Sequence, residues 1–290
     1  MTAQLTSNTA ALVQQTVQSF LVQPLVPASV LLQLGPHIFD TNSPIRVPRI
    51  GTTTAGWYSE GETITLSDGS FDEVDLLPST LQSVKTIIPV SSELVRSAVL
   101  GVTTVLEQRV VQDVALALDK AFIQGSGTAG TNVIGLINQT GINTATYAAS
   151  SGSTPVAGSL QDADTYLNAL GTAYSEFTTP THWLIHPTDS FGTILQAKDS
   201  LGRLLFIPDP SGHGPGSLFG IPVVVTAQVP QGTLLLVDIG KVLVARDQSP
   251  SVRVLLETFA QSDEIGILVT ARFDIGLAHP QAVTVLTAAA

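Results

Sequence analysis

Between residues 95 and 122 apolar side chains return every three or four positions: Val95, Val99, Val102, Leu106, Val110, Val114, Leu118 and Phe122. That period marks a helix with one buried face. Ser91 or Ser92 can cap its start, and Glu93 stands in the first turn, where the helix dipole favours an acid. Gly101 separates a short helix from a long one. The run Gly125-Ser126-Gly127-Thr128 stops the long one. A helix over residues 103–124 is roughly 30 Å long at about 1.5 Å per residue. Glu107, Arg109, Gln112, Asp113 and Lys120 face away from its apolar stripe.

What precedes this helix has a different character. Residues 8–25 carry helical spacing at Leu12, Val13, Val17 and Phe20, ended by Pro24 and Pro27. The chain then reads as an extended arm through Pro36 and Pro44, too apolar to stay free in solution and suited to lying across a neighbour. Residues 46–90 read as a long two-stranded excursion. Arg46 to Ile50 is strand-like, Trp57 to Leu66 is rich in β-formers, Ser67-Asp68-Gly69-Ser70 is a turn, and strands return at Phe71 to Leu77 and Leu81 to Val90. Six acids sit in it: Glu60, Glu62, Asp68, Asp72, Glu73 and Asp75. A two-stranded ribbon is marginal alone in water, so this one needs a surface to lie on.

Beyond the long helix, residues 129–158 are Gly-, Ser-, Thr- and Ala-rich loops with short strands. Helices and strands then alternate. A helix is expected over 160–174, a strand over 181–186 and a helix over 187–198. A Gly/Pro loop follows over 208–216, then strands over 222–226, 233–237, 241–246 and 251–258, and a last strand pair over 266–274 and 281–286. The fold class is α+β.

Composition narrows the function. Charged residues make up 12% of the 290, and mean hydropathy is +0.34. An ordinary soluble domain carries about 25% charged residues. No stretch of roughly 20 apolar residues offers a membrane span; the run from Leu234 to Ala245 is broken by Asp238, Gly240 and Lys241. The start MTAQLTSNTA lacks the basic region of a signal peptide. So few charges suit a subunit with much of its surface buried against other copies. The chain has no cysteine, which excludes disulfides and thiolate metal sites. A net charge of −11 argues against binding DNA by phosphate neutralisation, yet fits a container whose wall repels the packaged polymer.

Several local patterns, in order, resemble those of the major capsid proteins of tailed bacteriophages, the Hong Kong 97 fold. Trp57-Tyr58-Ser59-Glu60-Gly61 is similar to the W-x-x-E-G start of that family's extended loop. Lys85 to Ser91 resembles the lead-in to its spine helix. Asp119 to Thr128, followed by Gly135-Leu136-Ile137, resembles the helix exit D-x-A-F-x-x-G-x-G-T and the later G-I/L-x step. Leu218 to Val223 resembles an L-x-G-x-P-V strand, and Asp238 to Arg246 the strands after it.

The resemblance implies a division of the chain. Residues 1–45 would be an N-terminal arm and 46–88 an extended loop over an adjacent subunit. Residues 89–154 would be a peripheral domain with the spine helix, 155–250 an axial domain, and 251–290 the peripheral domain's C-terminal strands. Trp57, Tyr58, Glu60, Glu62, Phe71 and Asp72 of the loop would make intersubunit contacts. Implied partners are other copies, in pentamers and hexamers, with scaffold, portal and decoration proteins. The shell would enclose DNA without sequence-specific binding, touch no membrane, assemble in the host cytoplasm and reside in the virion. Covalent cross-linking, as some members perform, needs a lysine in the loop; none stands between Ile50 and Val84, and Lys85 is at its base. No isopeptide bonds are expected. The short N-terminal stretch leaves no room for a fused scaffold, which implies a separate one or a matured product.

Enzymatic readings have less support. His182 and His186 are four apart, but on a strand that spacing is too wide for a metal pair, and no H-E-x-x-H occurs. His186, Asp189 and Ser190 at one helix start read as caps rather than a triad. No G-x-S-x-G elbow, phosphate loop or dinucleotide fingerprint is present. No catalytic, cofactor-binding or metal residue is expected. The alternatives are an encapsulin-type nanocompartment shell, which the long arm and loop disfavour, and a soluble α/β hydrolase, which lacks its nucleophile motif.

Overall fold

The computed structural model describes residues 29–50, 56–63, 71–78, 80–91, 102–127, 133–148, 158–198, 201, 203–204, 206, 216–247, 251–255 and 257–289. The helix expected over 8–25, the turn at 67–70, the short helix before Gly101 and most of the 208–216 loop lie outside them.

The long helix forms as its periodicity requires. Helix α2 runs Val102–Gln124, behind a single helical turn, α1, at Val30–Gln33. Val110, Val114, Leu118 and Phe122 are each 5% exposed or less, so the stripe is core. Burying such a side chain is worth roughly 1.5–3 kcal/mol. Phe122 meets Phe273 edge to face, with ring centres 6.4 Å apart.

The described strands form four sheets. Strands β1 (His37–Asp40), β10 (Val242–Arg246) and β13 (Phe273–Leu277) form one, with β1 parallel to β10. A second joins β11 (Ser251–Leu255), β12 (Glu264–Ala271) and β4 (Val84–Ser91), all antiparallel. The largest has the order β5-β14-β9-β6-β8-β7 and takes in β5 (Asn143–Tyr147), β6 (His182–Ile185), β7 (Ser217–Leu218), β8 (Ile221–Val225), β9 (Thr233–Val237) and β14 (Val283–Ala288). The fourth is the ribbon of β2 (Ile45–Ile50) and β3 (Phe71–Leu76).

The six-stranded sheet is covered on both faces, which explains why β9 reads as an unbroken apolar run rather than an alternation. Leu184, Leu235, Val237, Val283 and Val285 face the core shared with α2. Trp183, Ile185, Leu234, Leu236 and Leu286 face a second core under helix α3 (Ala163–Ser175). There Tyr166 stands edge-on to Trp183 and Phe206, and its hydroxyl donates to the Leu160 carbonyl at 2.6 Å.

Several expectations are corrected. The strand expected over 266–274 is two strands of different sheets, changing at Arg272. The last strand does not pair with it: β14 lies between β5 and β9. The helix expected over 187–198 is one turn, Pro187–Asp189, continuing as a π-turn to Ile194. The excursion's return strand, β4, leaves the ribbon and pairs with β12. The arm is not extended throughout. Residues 30–33 form α1, and β1 adds to β10 of the same chain. The six-stranded sheet draws its strands from residues 143–147, 182–237 and 283–288.

The glycines after α2 are fixed by a crossing of two backbone segments. Gly135 N donates to Gly125 O at 2.9 Å. A Cβ on Gly125 would stand 2.2 Å from the Val133 carbonyl, and one on Gly135 would stand 2.4 Å from Gly125 N. Neither backbone can yield. Gly171 on α3 is the contrast, with nothing within 4 Å of its Cβ position. Gly171→Ala should therefore raise stability by about 0.5–1 kcal/mol, as a glycine in a helix interior is replaced. Gly135→Ala should leave little soluble folded protein. Denaturant midpoints and soluble yield check the pair.

Candidate functional site

The ribbon and arm are the segments that the sequence singles out, and two buried carboxylates join them to the core. Asp119 of α2 is 1% exposed. It accepts hydrogen bonds from Ser29 Oγ at 2.5 Å, Val30 N at 2.8 Å and Leu31 N at 3.3 Å. These are orphan donors at the start of α1, which a carboxylate suits. Leu31 and Leu32 are buried beside it. The arm is thus anchored at residues 29–32.

The ribbon's base is held in a similar way. Leu77, just after β3, takes a left-handed φ of 55°, which side-chain-bearing residues adopt at a cost. Asp274 Oδ2 accepts from Leu77 N at 2.8 Å, and Arg272 Nη2 donates to the Pro78 carbonyl at 3.0 Å. Val74 and Leu76 fill the space over Gly276, where a Cβ would come within 2.8 Å of Val74.

Along the ribbon, Arg46 pairs with Glu73 at 3.0 Å and Asp75 at 3.3 Å, and Arg49 pairs with Asp72. These exposed pairs set strand register more than stability. The Arg49 guanidinium and the Glu73 backbone N–H hold the Asp72 carboxyl below its usual range.

Residues 56–63 display the motif that opens the loop. Glu62 N donates to the Ser59 carbonyl at 3.0 Å, and Glu62 Oε2 accepts from Ser59 N at 2.8 Å. Gly61 supplies the φ of +83° that this turn demands. Tyr58 folds its ring against Gly56. Trp57 is 102% exposed, so no described residue covers its indole. Glu60 is exposed too. Phe71 opens β3 opposite Ile50, and its side chain lies outside the described residues. Of the six expected contact residues, Trp57, Tyr58, Glu60 and Glu62 share one short segment, while Phe71 and Asp72 lie on β3.

The histidine constellation has a structural explanation. His186 Nδ1 accepts from Thr188 N at 3.2 Å as a cap, and Asp189 accepts from Gly232 N at 2.6 Å. Tyr147 donates to the carbonyl of the same Gly232 at 2.7 Å. Burial and the nearby Asp189 push the Tyr147 phenol up to about 12. Among the described residues no group of three or more His, Asp or Glu could hold a metal, and no helix is long and apolar enough to cross a membrane.

The anchoring carboxylates were missed in the sequence. Their signal was present: Asp119 follows Leu118 and lies three residues before Phe122, both core residues, and Asp274 stands between Phe273 and Ile275.

The fold as a whole is shared with known proteins. The Phage capsid family matches residues 9–288. The chain belongs to the phage capsid family. It is 29% identical to the major capsid protein of Klebsiella oxytoca phage phiKO2 over 128 residues, 42% of this chain. Those residues span 28% of the phiKO2 protein's length. The capsid chain of an empty GTA particle, computed with C5 symmetry, superposes with a TM-score of 0.70 at 18% identity, over 89% of this chain and 90% of that one. A chain from Gordonia phage Cozz superposes with a TM-score of 0.67 at 15% identity, over 90% and 87%. At these identities the likeness establishes the fold, that of phage and GTA capsids.

Burial raises the Asp274 carboxyl above its ordinary value of 3.8, against the backbone donors Leu77 and Ile275 and the Arg272 charge. A carboxyl raised in the folded state favours folding once protonated. Its contribution is complete below 3.8 and lost as pH rises through the folded value. The stability of the native chain relative to Asp274→Asn should therefore grow as pH falls from neutral toward 4. Urea midpoints of both proteins across that range test it; a gap that shrinks on acidification contradicts it.

Proposed function

We propose that this chain is the major capsid subunit of a tailed bacteriophage, assembling through pentamers and hexamers into an icosahedral shell around the genome. The observation that carries the reading is the ribbon with its exposed turn. Residues 45–50 and 71–76 make a two-stranded extension that meets the core through Val47, Val74 and Leu76, and the turn at 56–63 carries a tryptophan that no described residue covers. Such a ribbon gains its ordering on a neighbour. Family membership supports the same conclusion.

In this reading residues 46–88 are the extended loop, and 1–45 the arm, anchored at Ser29 to Leu32. Residues 89–154 and 251–290 form the peripheral domain, and 155–250 the axial domain. The division follows chain order, although β5 and β14 hydrogen-bond into the sheet of the axial strands. The intersubunit contacts are Trp57, Tyr58, Glu60, Glu62, Phe71 and Asp72. Scaffold, portal and decoration proteins are the accessory partners, and the protein's place is the virion. An acidic inner wall contains DNA without adsorbing it, consistent with the net charge of −11.

Electron microscopy of the purified protein should show closed shells, DNA-filled or tailed when taken from infected cells. Small shells with protein cargo would instead favour an encapsulin. A monomer at high concentration would refute assembly. The particles, denatured without boiling, should run as a single band on a gel, since the loop holds no lysine between Ile50 and Val84. A ladder would mean covalent cross-links.

A further inference from the structure

One groove on the surface lies between α2 and the lead-in to β4. It is a cleft of about 390 Å³ open to solvent, lined by the apolar Val84, Ala117, Ala121 and Val133 and by the polar Gln82, Ser83, Lys120, Gln124 and Ser126. Lys120 supplies a positive charge. Lys120 makes no ion pair among the described residues, although an acid within reach would ordinarily take one up. Leu116, one turn before Lys120 on α2, is 51% exposed and extends the apolar surface.

The turn at residues 56–63 has the opposite needs. It carries an indole that no described residue covers and two carboxylates, Glu60 and Glu62, neither of which pairs with a cation among the described residues. The ribbon's arginines do not serve them, because Arg46 and Arg49 are committed to Glu73, Asp75 and Asp72. In a chain of net charge −11, copies repel one another unless cations are placed where they meet.

We infer that the groove beside Lys120 receives the Trp57–Glu62 turn of a second copy of this chain, with the indole on its apolar wall and Glu60 against Lys120. The inference rests on the proposal that the chain assembles with itself, and it names where the extended loop lands. The groove is large enough for an indole, since pockets of about 300 Å³ and above hold ligands larger than one. Desolvating an aromatic anchor beside a charge pair at the rim is the common layout of an interface centre. The partner is the same polypeptide, so every subunit offers one turn and one groove. That contact is heterologous and propagates around a ring.

The absence of cysteine gives a clean background for a test. In assembled particles of the double variant Glu60→Cys, Lys120→Cys, a short bismaleimide should join different chains into dimers and higher ladders on a denaturing gel. The control Glu60→Cys, Arg109→Cys places the second thiol about 16 Å along the same helix and should give little ladder. Shells that form normally but yield no ladder, a link within one chain, or an equal ladder from the control would each overturn the docking site while leaving assembly standing. Failure of the native chain to form any particle under microscopy would instead remove the reading beneath it. A second arm reverses charge. Glu60→Lys and Lys120→Glu should each raise the protein concentration needed for assembly by roughly fivefold, the upper range for one exposed pair. The combined variant should restore it; a combined variant as impaired as the two singles together would overturn the pairing.

Discussion

The buried stripe of α2 is the surface on which the other elements settle. Val110, Val114, Leu118 and Phe122 occupy one face, and the three-stranded sheet ending in β13, the inner face of the six-stranded sheet and the turn after β3 all pack toward it. Removing these side chains from water drives the association, and it acts on segments far apart in the chain. The helix end is equally constrained. Its last carbonyls are met by Asn138 Nδ2, which donates to Gly125 O at 2.8 Å and Gln124 O at 3.2 Å, while the Gly125–Gly135 crossing leaves no room for side chains. The glycines that resemble the family's helix exit are therefore there for a steric reason that the resemblance alone does not state.

From that core the arm and ribbon are tied down by a common device. Asp119 and Asp274 are buried acids, and burial raises both carboxyls above their ordinary value. Each gathers backbone N–H groups that would otherwise be unpaired at a chain direction change. An unmade hydrogen bond in such a place costs more than a made one contributes, so these acids fix where the chain turns more than they add stability.

Much of the architecture was legible in the sequence, and the reasons differ by element. Periodicity gave α2 to within a residue at its start, because 3.6-residue spacing persists over many turns. It gave β9, because a doubly buried strand is an uninterrupted apolar run. It failed at residues 264–277, where one apolar stretch serves two sheets. The sheets change at Arg272, whose guanidinium donates to the carbonyl of Pro78, a residue 194 positions away. It also failed for residues 30–33, in a segment where Pro36 and Pro44 suggested an extended arm. Asp119, distant in sequence, supplies the acceptor that α1 needs. Trp57 and its turn were singled out in the sequence only by their likeness to the family's loop motif; that no described residue covers the indole is visible only in the structure.

Local chemistry fixed α2, α3, β9, the acidic ribbon and the lack of any thiol, since propensity, alternation and charge are properties of neighbours in the chain. The sheet order, the two carboxylate anchors and the groove beside Lys120 were decided only by tertiary structure. They join residues tens to hundreds of positions apart, and no local pattern records which buried donor an acid will meet or which two surfaces will leave a hollow between them.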